Sequence, residues 1–227
     1  MALIDKIKYT ALLREDGGEN GRVYVCPYGN KLPSVTTILD STKSEESKQA
    51  LAAWRRRVGN KAAAEITKEA AFRGTMMHTF LERWVKGEPF KSGTNMYHVH
   101  SFNMANVIVQ TYLLPFLDEA WGVEVNLYYP ELYAGTTDLV GVYQGVPSIV
   151  DFKQTNKPKT DARVEDYKLQ LAAYLLAHNK IHGTDINQGV IVMCSKDLEP
   201  QNWIIRGEEM EHYKNLWWAR VGQYYKV

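Results

Sequence analysis

The sequence predicts an α/β protein in which helices pack on a sheet. Three observations carry this. Residues 34–84 are helical in pattern and rich in alanine. Three strand-like runs follow between residues 123 and 153. A helical stretch then leads to two more strands and a closing helix, an order of elements that suits a sheet covered by helices. At 227 residues the chain can bury one sizeable core, so it reads as one domain spanning residues 1–227. Its parts are an N-terminal arm (1–33), a mainly helical region (34–120), a sheet with its helix (121–206) and a C-terminal helix (207–227).

Taken in order, residues 10–33 include "DGGENGRVYVCPYGNKLP", whose Gly, Asn and Tyr content predicts a short hairpin or irregular arm. From Ser34 to about Trp84 the helical pattern includes "KQALAAWRRRVGNKAAAEITKEAAF", with breaks expected near Gly59 and Gly74. A second helical stretch, about 99–117, is expected to kink at Pro115, which lacks the amide hydrogen a helix needs. "VEVNLYY" alternates as a strand, with Val123, Val125, Leu127 and Tyr129 on one face. Strands are expected at about 134–143 and 147–153, a helix at 162–181, strands at 189–195 and 202–206, and a last helix from about Glu208.

Composition narrows the class. Hydrophobic residues make up 45% and charged residues 23%, which fits a globular protein and excludes a disordered or fibrous one. No apolar run approaches the roughly 20 residues that span a bilayer, so no membrane partner is expected. The N-terminal "MALIDKIKYTALLREDGGENG" reads as neither a secretory signal nor a clear transit peptide. Cys26 and Cys194 are the only cysteines, which suits a reducing compartment and excludes a four-cysteine zinc or iron–sulfur site. With a net charge of +1, nucleic acid would have to be held by a local basic patch balanced by nearby acids.

The stretch "SIVDFK" (148–153) ends a buried-looking strand in charges. Strand alternation puts Ile149, Asp151 and Lys153 on one face and Val150 and Phe152 on the other. The preceding run, "TTDLVGVYQGVP", turns at Gln144-Gly145. A two-residue loop there sets Asp138 opposite Asp151. A loop at Gly145-Val146 sets Asp138 opposite Lys153, and a three-residue loop pairs it with Phe152. Two facing carboxylates are unfavourable unless something positive lies between them. A divalent cation such as magnesium, which takes oxygen ligands at about 2.1 Å, answers that need. Lys153 would then orient or deprotonate a water, or stabilise developing negative charge. The plainer alternative is a surface ion pair between Asp151 and Lys153.

These residues resemble the PD-(D/E)XK nuclease superfamily in its RecB-like branch. "AGTTDLVGVYQGVPSIVDFK" carries the aspartate and the Asp-x-Lys, and "YKLQLAAYLLAH" the Gln-x-x-x-Tyr. "RGTMMHTFLERW" resembles the branch's Gly-x-x-x-His helix. "LPSVTTIL" resembles the opening of mitochondrial genome maintenance exonucleases and related phage exonucleases. The resemblance runs from about Leu32 to Tyr174. It implies a restriction-endonuclease-like core with a central mixed sheet flanked by helices. It further implies that Asp138, Asp151 and the Phe152 carbonyl bind the catalytic metal, with His78 as an additional ligand. Lys153 would be the catalytic lysine, with Gln170 and Tyr174 facing the site. Gln154 departs from the pattern, since many members carry threonine directly after that lysine. Lacking four cysteines, the chain would belong with members that have no iron–sulfur cluster.

The residues themselves agree. Gly74, His78 and Glu82 share a helical face, as do Gln170 and Tyr174; a surface pair with Glu82 and a hydrogen-bonded core pair remain the plainer alternatives. Ser34, Thr36 and Thr37 precede a helix and could hold a phosphate or simply cap it. Trp54 with Arg55, Arg56 and Arg57, and Lys157 and Lys159, suit single-stranded nucleic acid or a solvated face. The expectation is a Mg2+- or Mn2+-dependent DNA exonuclease acting from single-stranded ends in replication, recombination or repair. Alternatives are a flap endonuclease on the same fold and a catalytically silent nucleic-acid-binding module. Its expected location is the cytoplasm of a bacterial or phage-infected cell, or the mitochondrion if a transit segment has been removed.

Overall fold

A computed structural model describes residues 3–16, 18, 21–89 and 91–227. Gly17, Glu19 and Asn20, within the Gly- and Asn-rich turn expected in the arm, lie outside the described residues, as do Met1, Ala2 and Phe90. The arm is more regular than expected. It forms a three-stranded antiparallel sheet of β1 (Leu13–Asp16), β2 (Arg22–Val25) and β3 (Lys31–Pro33).

Helices α1 (Val35–Ser41), α2 (Glu45–Val58), α3 (Asn60–Val85) and α4 (Met96–Ile108) follow. Ser34 caps α1 by accepting a hydrogen bond from the Thr37 amide at 3.0 Å. Gly59, at φ 84°, separates α2 from α3 as expected. The break expected at Gly74 does not occur, because α3 runs unbroken through it for 26 residues. A single glycine inside a helix costs about 1 kcal/mol against alanine, too little to end a helix whose far side is buried. Around Pro115 the regular α-helix is interrupted. After α4 a π-helical turn (Val109–Leu113) and a last turn, α5 (Leu114–Phe116), lead straight into strand at Leu117.

The main sheet runs in the order β4 (Leu117–Tyr129), β5 (Tyr133–Tyr143), β6 (Val146–Thr155), β7 (Gln188–Ser195) and β8 (Pro200–Ile205). Only β6 and β7 pair in parallel, joined through α6 (Glu165–His182), so the sheet is mixed. Helix α7 (Glu208–Tyr225) closes the chain. The expected α/β fold, a central mixed sheet flanked by helices after a helical region, is present.

Each face of the sheet has its own core. On one, Val140, Ile149, Ile191 and Met193 pack with Leu171, Leu175 and Trp217 from α6 and α7. On the other, Leu139, Val150, Phe152 and Val192 pack with Met77, Leu81, Met104 and Ile108 from α3 and α4. Burial of this apolar area drives the layers together. Among the described residues no helix is long and apolar enough to cross a membrane. Cys26 and Cys194 are both free and buried.

Candidate active site

The β5–β6 hairpin sets the centre of the site. Leu139 pairs with Val150 and Tyr143 with Val146, which is the two-residue-loop register. Gln144 and Gly145 both have positive φ (52° and 76°), as a tight hairpin turn requires. Continued one step past Leu139–Val150, this register sets Asp138 opposite Asp151. Both project toward the α6 face, since they share strand parity with Val140 and Ile149.

Around them lies a cavity of about 200 Å³, lined in part by His78, Asp138, Asp151, Lys153, Gln170 and Tyr174. Asp138 is the hub. Its Oδ2 accepts from the Phe152 amide at 2.6 Å, and its Oδ1 lies 3.1 Å from His78 Nδ1. In an extended strand the N–H and C=O of one residue point the same way, so the Phe152 carbonyl is aimed toward this same gap. Asp151, 2% exposed, is ion-paired with Lys153. The Lys153 ammonium also lies 5.1 Å from the centre of the Tyr167 ring.

The electrostatics follow from crowding charge in a buried place. Burial raises the pKa of Asp151, and neighbouring Asp138 adds to this beyond what Lys153 offsets. For Asp138 burial acts the same way, but the charge and hydrogen bond of His78 outweigh it and hold the carboxyl below its usual range. Burial would lower His78, yet Asp138 prevails and raises it. Lys153 is likewise raised, because Asp151 and Asp138 overcome its burial, and it stays an ammonium at neutral pH.

Glu124, which was not expected from the sequence, joins this cluster. Its carboxylate, His78 and Asp138 offer three ligand atoms within 4.8 Å of one another. Although its residue is exposed by area, burial of the carboxyl against the cavity, then the charge of Asp138, pushes it up to about 7. Pairing of Val123 with Leu139 and of Val125 with Thr137 brackets Glu124 opposite Asp138. Its φ of 52° turns the strand over at that point. This corrects the expected face: Val123 packs on the α3–α4 side, whereas Val125 and Leu127 pack on the α6 side. The donor set of carboxylates plus one imidazole fits a divalent cation, and the clustered acids need positive charge.

The other expected residues divide. Ser34 and Thr36 line the cavity, their hydroxyls 2.9 Å apart. Gln170 donates to the Tyr174 hydroxyl at 2.9 Å, and burial raises that phenol well above its usual range, so it stays protonated. Gly135, three residues before Asp138, leaves room for the Tyr174 ring. Lys159 stands outside the cavity lining, its ammonium 5.5 Å from the centre of the same Tyr167 ring that Lys153 approaches. Lys157 is exposed and does not line the cavity; its carbonyl accepts from the Thr155 hydroxyl at 2.8 Å. Arg55, Arg56 and Arg57 lie exposed on α2, which buries none of its residues. The arm instead contributes two arginines that were not expected, Arg14 and Arg22, to the cavity rim.

Whole-chain comparisons agree with the motifs. No family model matches the chain. It is 28% identical over 204 residues to mitochondrial genome maintenance exonuclease 1 of Mus musculus, covering 86% of this chain and 59% of that protein. The Xenopus tropicalis protein of the same name is 29% identical over 211 residues, covering 86% and 58%. The chain thus spans about three-fifths of the length of the curated relatives it matches. Among solved structures, an alkaline exonuclease from Laribacter hongkongensis aligns with a TM-score of 0.32 at 12% identity, covering 86% of this chain and 91% of that one, too distant to carry an argument. The resemblance to PD-(D/E)XK nucleases carried by the motifs is therefore accompanied by similarity to proteins named exonucleases over most of the chain.

Proposed function

We propose that the protein is a divalent-metal-dependent DNA exonuclease that hydrolyses phosphodiester bonds from single-stranded ends, using Mg2+ or Mn2+. The observation that carries the reading is the meeting of Asp138, Asp151, Lys153 and His78 in one cavity, from three separate elements. The named relatives are exonucleases, which supports the same reading.

In this reading His78, Asp138, Asp151 and the Phe152 carbonyl would hold the cation, with Glu124, whose carboxylate groups with His78 and Asp138, as a further ligand. When bound, the cation supplies charge neutralisation on the phosphate oxygens and favours attack by water. Lys153, as an ammonium, has donors and no acceptor, so it donates to the phosphate or the attacking water and does not serve as a base. Its pairing with Asp151 fixes where that donor sits. Tyr174 remains a neutral hydroxyl held by Gln170 and bounds the cavity beneath the strand. Ser34 and Thr36 hydroxyls and the Arg14 and Arg22 guanidiniums face the phosphate backbone from the rim. Lys159 and Lys157, outside the cavity lining, meet the strand beyond it. The biological role follows as processing of DNA ends in replication, recombination or repair.

The test is digestion of a single-stranded oligonucleotide, linear and circularised, with Mg2+, Mn2+ or EDTA. Metal-dependent shortening of the linear form alone is expected. Cleavage of the circle would replace the exonuclease reading with an endonuclease one. Binding without cleavage would leave a silent binding module.

A further inference from the structure

Two features singled out in the sequence have no part in the chemistry above: Gly74, and the Gln154 that follows the lysine. They meet in the structure. We propose that Gln154 and Arg73 form a latch that sets where helix α3 lies along strand β6, and thereby fixes His78 against Asp138 and Asp151. Both are positioning residues, and the inference rests on the nuclease reading.

The side chain of Gln154, the β6 residue directly after Lys153, reaches across to α3. Its Nε2 donates to the Ala70 carbonyl at 3.0 Å, and its Oε1 accepts from Arg73 Nε at 2.9 Å. Arg73, only 5% exposed, also bonds Asn156 in the segment after β6, and its guanidinium lies 3.7 Å from Glu69. A buried guanidinium held chiefly by neutral amides is costly to leave unpaired, so its position follows theirs. His78 stands five residues further along the same helix, about 7.5 Å in rise.

Apart from the 3.1 Å contact of His78 with Asp138, which the latch serves, the packing of α3 on the sheet is apolar: Met77 and Leu81 lie in the cluster that holds Val150 and Phe152. Apolar burial is non-directional and resists separation better than sliding. Hydrogen bonds work within a few tenths of an ångström, so the Gln154 bonds to Arg73 and Ala70 set the register about one turn before His78 meets Asp138. Gly74 gives the Gln154 side chain its room. A Cβ there would stand 3.3 Å from Gln154 Cγ, closer than the amide side chain can accept without shifting.

The test compares Gln154→Ala and Gly74→Ala with the wild type in the full chain. It measures Mn2+ affinity of the DNA-free protein by calorimetry, kcat and KM on a labelled oligonucleotide, and the thermal midpoint. Gln154→Ala should weaken Mn2+ binding and lower kcat, each by about 10–100-fold, with KM unchanged. Gly74→Ala improves helix propensity and should hold or raise the midpoint while Mn2+ affinity and kcat still fall. Wild-type affinity and kcat in both variants would overturn the latch. So would losses that merely track the unfolded fraction. A wild type that neither binds Mn2+ nor cleaves would overturn the nuclease reading and the latch together, whereas an active wild type with unaffected variants overturns the latch alone.

Discussion

Replacing Gly135 by alanine probes how tightly the strand carrying Asp138 is seated on α6. A Cβ at Gly135 would stand 2.6 Å from Tyr174 Cε1 and 3.2 Å from its hydroxyl. Carbon atoms pack at about 3.5 Å, so the overlap is roughly 0.9 Å. The ring cannot swing away freely, being 3% exposed and bonded to Gln170 at 2.9 Å. The strand and helix must therefore part, or that hydrogen bond must break, at a cost of about 1–3 kcal/mol. For a chain of this size that lowers the thermal midpoint by roughly 2–12 °C. Activity should fall as well, because Asp138 is three residues along. The assay is a denaturation cycle with Gly135→Ala, Tyr174→Ala and the double variant. If the clash with the Tyr174 ring carries this cost, Gly135→Ala costs much less in the Tyr174→Ala background. Equal cost in both backgrounds, or a wild-type midpoint for Gly135→Ala, would refute it.

Other expectations follow from the charges. Glu124→Gln removes a carboxylate that crowds Asp138, so it should weaken Mn2+ binding about 10-fold by calorimetry while leaving the metal-free midpoint unchanged or higher. Mn2+ at a hundred times its dissociation constant should stabilise the wild type by about 2.7 kcal/mol, and this gain should vanish in Asp138→Asn and on adding EDTA. Burial, with the charge of His182 second, lowers His178 from 6.5 to about 4. The unfolded chain therefore takes up this proton below pH 6.5, while the folded chain does so only near 4. Stability should fall across that window by up to about 3 kcal/mol, and His178→Gln should flatten the slope in urea titrations.

How much of this was legible in the sequence depended on whether the signal was periodic. Strand alternation and the Gln144-Gly145 turn allowed the register that faces Asp138 with Asp151. The start of β4 was hidden, because register shifts between Leu117 and Glu119 and between Ala120 and Gly122 interrupt the alternation on which a strand is recognised. Glu124 was missed for a related reason. Its left-handed backbone reverses the faces, which no period-2 reading anticipates. An acid on the strand neighbouring Asp138 was the available signal. Arg14 and Arg22 reach the cavity because the Ser34–Ala134 bridge and the 3.0 Å Tyr24–Thr136 hydrogen bond dock the arm on β5, contacts between segments about a hundred residues apart. Gly74 was read as a break because its use lies in a neighbour, Gln154, rather than in its own helix.

The most direct test of the account is single-turnover hydrolysis of an end-labelled single-stranded oligonucleotide with Mg2+, by the wild type and by Lys153→Ala. Progressive shortening by the wild type is expected, with a rate lower by about 10²–10³-fold in the folded variant, as for loss of one donor aimed at developing charge. Equal rates in the two proteins would contradict it.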